Sequence, residues 1–231
     1  MGIITDLVAW FLDPVNWQGS AGVPTRILEH VWYSLIAIFV SIVVALPIGI
    51  FIGHTGRGGA VVINVLNSAR AVPTFGIILL TVLVAGIGIL PVIVALVALA
   101  SPPIVTNTYA GIRSVDPKIR EAAEGMGMVG WQVIRRVEIP VALPIIMAGI
   151  RTSAVQIVAT ATFAAIVGLG GLGRYIIDGL AQQDLTQVLA GAILVAALSL
   201  LTEFSLSRLQ SGVVSDGLQA QSKEAAIKTK A

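Results

Sequence analysis

Apolar positions in this chain do not alternate with polar ones over long distances. They run unbroken. Residues 31–53 carry no charge for 23 positions and residues 71–112 carry none for 42. Two more uncharged runs, 152–173 and 185–202, follow. A helix needs about 20 apolar residues to cross about 30 Å of hydrocarbon. The 42-residue run is therefore two spans, broken at Gly86-Ile87-Gly88 and Pro91, residues that punctuate helices. The second span begins early, near Ala60, where Val61, Val62, Val65 and Leu66 sit beside Asn64, Asn67 and Arg70. That amphipathic start suits protein or the headgroup level. The pattern predicts an all-α polytopic membrane protein with five transmembrane helices. Residues 1–30 form an extracytoplasmic or interfacial segment, 31–208 the transmembrane domain and 209–231 a disordered cytoplasmic tail.

Composition agrees with the pattern. Of 231 residues, 56% are hydrophobic and 11% charged, against about 25% charged in a soluble domain. The mean hydropathy of +0.95 is too high for a chain that must build a water-facing surface. The sequence has no cysteine, and its two histidines, His30 and His54, stand apart. Disulfides, thiolate sites and a histidine metal cluster are excluded on that ground. Asp6, Asp13 and Glu29 outweigh Arg26 near the start, the reverse of a signal peptide's basic region. Trp10, Phe11, Trp17, Trp32 and Tyr33 suit the headgroup level.

Charge also gives an orientation. The segments after spans one, three and five contain Arg57, Arg70, Arg113, Lys118, Arg120, Arg135, Arg136, Arg151, Arg208, Lys223, Lys228 and Lys230. Only Arg26 and Arg174 lie on the other side. The positive-inside rule puts the N-terminus outside and the C-terminus in the cytoplasm.

The loop at about 113–146 is long and structured. Asp116-Pro117 opens a helix, with Asp as the N-cap acceptor and Pro at the first position. Glu121 and Glu124 follow in its first turns, and Ala122 and Ala123 leave one side nearly bare. Gly125 and Gly127 end it. A second amphipathic helix, 131–137, carries Arg135 and Arg136 until Pro140 and Pro144 break it. Such a small-faced cytoplasmic helix either docks in a partner's groove or packs on its own bundle.

Glu121-Ala122-Ala123, three residues, Gly127, nine residues, then Val137-Glu138-Ile139-Pro140 resembles the EAA loop of ATP-binding cassette (ABC) importer permeases. Val137 and Ile139 depart conservatively from the family's Ile and Leu. The resemblance implies that Glu121, Ala122, Ala123 and Gly127 couple the chain to an ATPase subunit, with Asp116, Pro117 and Pro140 supporting the loop. A narrower likeness covers residues 31–208. Pro103, Asn107-Thr108-Tyr109, Gly111-Ile112, Gly125-Met126-Gly127-Met128 and the stretch from Val137 to Thr152 are similar to permeases of osmoprotectant importers. Residues 164–173 fit that group and also methionine-type permeases.

The resemblance implies a methionine-type ABC importer permease core, passing glycine betaine, carnitine or choline. It implies two cytoplasmic ATPase subunits, a second permease that is a copy or a paralogue, and a separate extracytoplasmic substrate-binding protein. Membrane lipid is a further partner and nucleic acid is not one. ATP and Mg would be bound by the partner ATPase, with no cofactor, metal or catalytic site in this chain. Methionine, another amino acid or a sulfonate is the alternative cargo. An ion-coupled secondary transporter is the alternative class, but no acid sits at mid-span and no repeated half is present.

Several residues keep two readings. Gln156, Thr160 and Thr162 either line a pathway or bond to the preceding helical turn or a neighbouring helix, and Tyr109 is a scattered aromatic candidate for the same pathway. The Gly168-to-Gly173 run, with Gly168, Gly170 and Gly171, lacks the strand that a dinucleotide fingerprint needs. It reads as a flexible outer turn or gate. Gly49 and Gly53 fit either close helix packing or a loosened helix end beside Pro47.

Overall fold

A computed structural model describes residues 2–69 and 71–213. Among these there is no strand. The helices are α1 (Ile3–Leu12), α2 (Val23–Thr55), α3 (Gly59–Ala69), α4 (Thr74–Ala85) and α5 (Ile89–Arg113). They continue with α6 (Pro117–Gly125), α7 (Gly130–Val133), α8 (Ile139–Thr160), α9 (Gly173–Gln182) and α10 (Leu185–Val213). Short 3₁₀ stretches lie at Pro14–Trp17 and Ala161–Val167, and a π turn at Ile134–Glu138 joins α7 to α8.

Among the described residues, four helical stretches are long and apolar enough to span a bilayer: α2, α5, Gly130–Val167 and α10. The pair α3 and α4 supplies the fifth span if counted as one. Three boundaries differ from the sequence pattern. First, α2 begins at Val23, eight residues before the uncharged run, because Arg26 and Glu29 pair with each other at 3.0 Å. Second, Pro140 and Pro144 do not break the chain before span four, since the helix passes through both. The π turn immediately before Pro140 absorbs the missing N–H and the ring's steric demand. Third, α10 runs to Val213, past the expected boundary at Arg208. Residues 214–231 of the expected tail lie outside the described residues.

α2 shows why this sequence folds as it does. Its exposed side carries Leu28, Trp32, Leu35, Phe39, Val43 and Phe51, whereas its buried side carries Ser34, Ala37, Ser41, Ala45, Gly49 and Gly53. Between Ser34 and Gly49 the buried positions are all small and the bulky groups face outward, the arrangement expected when lipid is the solvent. With lipid as apolar as leucine, close van der Waals contact replaces hydrophobic burial as the driving force.

Packing divides the chain into two units. One contains, among the described residues, 2–41, 69, 71–100 and 154–203. Its core gathers Ala37, Ile78, Leu96, Ile157 and Ala164, and a second cluster joins Val23, Leu172, Tyr175 and Val195 with Trp10. The other contains, among the described residues, 42–68, 101–153 and 204–213. Its core is Ala45, Ile52, Ile104 and Val105, beside Ile112, Ala142 and Ile146. Within this second unit Gly49 and Gly53 are packing residues. A Cβ on them would lie 2.6 Å from the Thr108 Cβ and 2.7 Å from the Ile112 Cβ. Gly149 is as close to Asn107, at 2.6 Å.

Candidate functional site

The loop after α5 folds as its sequence dictates. The Asp116 carboxylate accepts from the Lys118 N–H at 2.9 Å and caps α6, with Pro117 at its first position. At the other end the Gly127 N–H donates to the Glu124 carbonyl at 2.8 Å and the Met128 N–H to the Ala123 carbonyl at 3.1 Å. This is a Schellman closure, and Gly127 takes the positive φ of +85° that it requires. The two alanines separate. Successive helical residues lie about 100° apart, so Ala123 is buried while Ala122 is exposed between exposed Glu121 and Glu124. Ile119, Met126, Val129 and Trp131 add exposed apolar surface to the same loop. Beside it, Trp131, Gln132, Arg135 and Arg136 line an open cavity of about 470 Å³. Pro140 is exposed at the start of α8.

Under this loop lies a group that the sequence reading did not single out as functional. Glu138 has no exposed surface. Its Oε1 is 3.0 Å from Arg120 Nε and its Oε2 is 2.9 Å from His54 Nδ1. Arg120 also donates to the Ile112 carbonyl at the end of α5. The available signal was a single acid inside the apolar Val137-to-Leu143 stretch, since a lone buried carboxylate needs partners.

The glycine run belongs to the other unit. Gly168 (φ +79°) closes the 3₁₀ stretch, its N–H donating to the Ala165 carbonyl at 3.1 Å. The Gly171 N–H donates to Glu29 Oε2 at 2.7 Å, and Arg26 donates to the same oxygen at 3.0 Å. A Cβ on Gly170 would lie 1.9 Å from that oxygen. The turn is thus clasped by the start of α2 rather than loose, because the carboxylate fills the space that glycine leaves. Behind it, fully buried His30 hydrogen-bonds the Val158 carbonyl through Nε2 at 2.8 Å. Its Nδ1 has no hydrogen-bond partner. Tyr175 donates to the Ala21 carbonyl at 2.6 Å, and burial pushes its phenol above the ordinary range, which keeps it a neutral donor.

The remaining candidates are dispersed. Tyr109 packs half-buried over Gly59, whose Cβ would lie 2.7 Å from its ring, in the unit that holds α6. Gln156, Thr160 and Thr162 sit in the other unit. The Thr162 hydroxyl donates to the Ala159 carbonyl at 3.1 Å, while Gln156 Oε1 is buried without a hydrogen-bond partner. Among the described residues, no three histidine, aspartate or glutamate side chains converge where a metal could sit.

This architecture and loop have close counterparts. A chain from a structure titled inward-facing conformations of the MetNI methionine ABC transporter superposes with a TM-score of 0.72 at 23% identity, covering 81% of this chain and 94% of that one. That likeness concerns the fold. In sequence, the glycine betaine/carnitine/choline transport system permease protein OpuCB of Bacillus subtilis (strain 168) is 40% identical over 191 residues, 83% of this chain and 88% of the relative. The carnitine transport permease protein OpuCB of Listeria monocytogenes is 42% identical over 182 residues, covering 79% and 84%. The choline transport system permease protein OpuBB of Bacillus subtilis (strain 168) is 36% identical over 191 residues, covering 83% and 88%. A family model matches residues 45–215, a range that holds the capped α6 loop and every span after the first half of α2. The chain belongs to the family of binding-protein-dependent transport system inner membrane components.

Proposed function

We propose that this chain is the permease subunit of an ATP-driven importer for quaternary-ammonium osmoprotectants such as glycine betaine, carnitine and choline. The carrying observation is the conjunction of two things. One is an α6 loop that displays Glu121, Ala122 and an apolar rim while its ends are capped from within. The other is a set of relatives at 36–42% identity named for those substrates.

In this reading the N-terminus is outside and the C-terminus cytoplasmic, which the basic residues around α6 and at the chain's end support. The α6 helix enters a cleft of a cytoplasmic ATPase subunit. Glu121 pairs with a basic group there, and Ala122 and Gly127 permit close approach. ATP and Mg are bound and hydrolysed by that partner, and this chain is not itself an enzyme. Two ATPase subunits, a second permease copy or paralogue, and a separate extracytoplasmic binding protein complete the machine. Gln156, Thr160, Thr162 and the clasped Gly168–Gly171 turn bound the substrate's route. Tyr109 serves packing.

The test is uptake of labelled glycine betaine and choline, at high osmolarity, in cells lacking the chain and in cells with it restored. Methionine and taurine serve as competitors. Uptake that returns with the chain and ignores methionine supports the reading. Restored uptake of an amino acid or sulfonate in place of betaine keeps the permease and overturns the cargo.

A further inference from the structure

We infer that Glu138 is a positioning residue that makes α6 and the ends of α2, α5 and α8 move as one body. It thereby sets how much transport each ATP yields. The inference rests on the reading of α6 as the helix gripped by the ATPase.

One buried carboxylate joins four chain segments. Glu138 lies on the π turn that leads into α8. Through Oε1 it holds Arg120 of α6, and through Oε2 it holds His54 in the last turn of α2. Arg120 in turn donates to the Ile112 carbonyl near the end of α5. α6 has little other grip, since Ala123 is its one buried residue.

Stability alone does not account for such a group. Taking a carboxylate and a guanidinium out of water costs several kcal/mol per ion, and apolar replacements of similar volume are often neutral or better. What an ionic fork supplies is geometry. Apolar surfaces slide over one another with small loss, whereas Glu138 is tied on two sides, by an ion pair to Arg120 at 3.0 Å and a hydrogen bond to His54 at 2.9 Å. Residues of π turns frequently serve such roles. Without Glu138, α6 follows the ATPase while the spans lag behind.

The test uses the whole complex, reconstituted with its ATPase and binding protein in lipid vesicles. Because the chain has no cysteine, nitroxide labels at M126C, the residue that caps the end of α6, and F51C on α2, both exposed positions, report one distance. That distance is measured with and without ATP. It should stay constant in the otherwise native chain and shift by about 2 Å or more, the scale of a helix displacement, in Glu138→Gln. Glycine betaine taken up per phosphate released, read in the same vesicles, should fall about fivefold or more in Glu138→Gln. A distance that changes with ATP in the native chain, or stays fixed in Glu138→Gln, overturns the inference. So does an unchanged uptake ratio. If Glu138→Gln does not accumulate in the membrane, His54→Ala, at a partly exposed position, makes the same two measurements and decides. A Glu121→Arg control separates the readings. Normal uptake there removes α6 as the gripped helix, and absent betaine uptake by the native complex removes the cargo while the distance measurement still stands.

Discussion

The turn that closes α6 and the turn that leads into α9 both use glycine at positive φ, at Gly127 (+85°) and Gly171 (+90°). Their surroundings are opposite. A Cβ on Gly127 would meet nothing within 4 Å, and every bond that shapes its turn comes from within five residues. Gly171 is held by Glu29, 142 positions away, and lies against His30, whose Nδ1 would be 3.3 Å from a Cβ. The first turn forms once its own helix forms. The second has local backbone bonds too, such as Arg174 N–H to the Gly171 carbonyl at 3.1 Å, but is tied in addition to α2 through Glu29. A locally closed turn leaves its surface free for a partner, while a tertiary clasp ties its turn to the state of a span.

Substitutions at five positions press on that contrast. Gly173→Ala should have the largest effect, because its methyl would lie 2.0 Å from the Thr162 carbonyl oxygen, a backbone atom that cannot swing aside. We expect a loss of about 3 kcal/mol, read as a lowered melting midpoint of the purified complex or failure to accumulate. Glu29→Ala should lower the same midpoint by the equivalent of about 1–3 kcal/mol, since the Gly171 N–H loses its acceptor. Gly170→Ala should be damaging alone yet add little in the Glu29→Ala background, a coupling that a double-mutant cycle measures. Additivity there would dissolve the clasp.

On the other side, Gly127→Ala should cost about 1–2 kcal/mol of local strain, with Gly127→Asn milder. The readout is faster amide exchange in α6 with an unmoved global midpoint. Asp116→Ala should have the smallest effect, about 0.5–1 kcal/mol of cap, again as fraying of α6. If either change lowered the global midpoint as far as Glu29→Ala does, the distinction between the two turns would fail.

Legibility from sequence follows the same division. The bounds of α6 could be read because Asp116, Pro117 and Gly127 act on neighbours. The spans could be read because an uncharged run of that length has few other uses. Pro140 and Pro144 misled, since a π turn that accommodates proline leaves no mark in hydrophobic periodicity. The choice at Gly49 and Gly53 needed coordinates, because packing depends on what lies opposite, here Thr108 and Ile112. The buried role of Glu138 was hidden for a similar reason. The apolar stretch around it marks an acid that needs partners, but which partners is known only once His54, 84 residues away, and Arg120 are found against it.

The close approach of the spans at Gly49, Gly53 and Gly149 inverts a habit of mutagenesis. Scanning with alanine is designed to subtract atoms and register what is missed. At these positions alanine adds the one carbon for which no volume was left, so the scan would report an obstruction as though it were a deletion. The face of α2 that carries Phe39 and Phe51 should answer in the opposite sense, tolerating exchange among apolar residues. In this chain, the residues with the least to remove are the ones whose replacement is felt most.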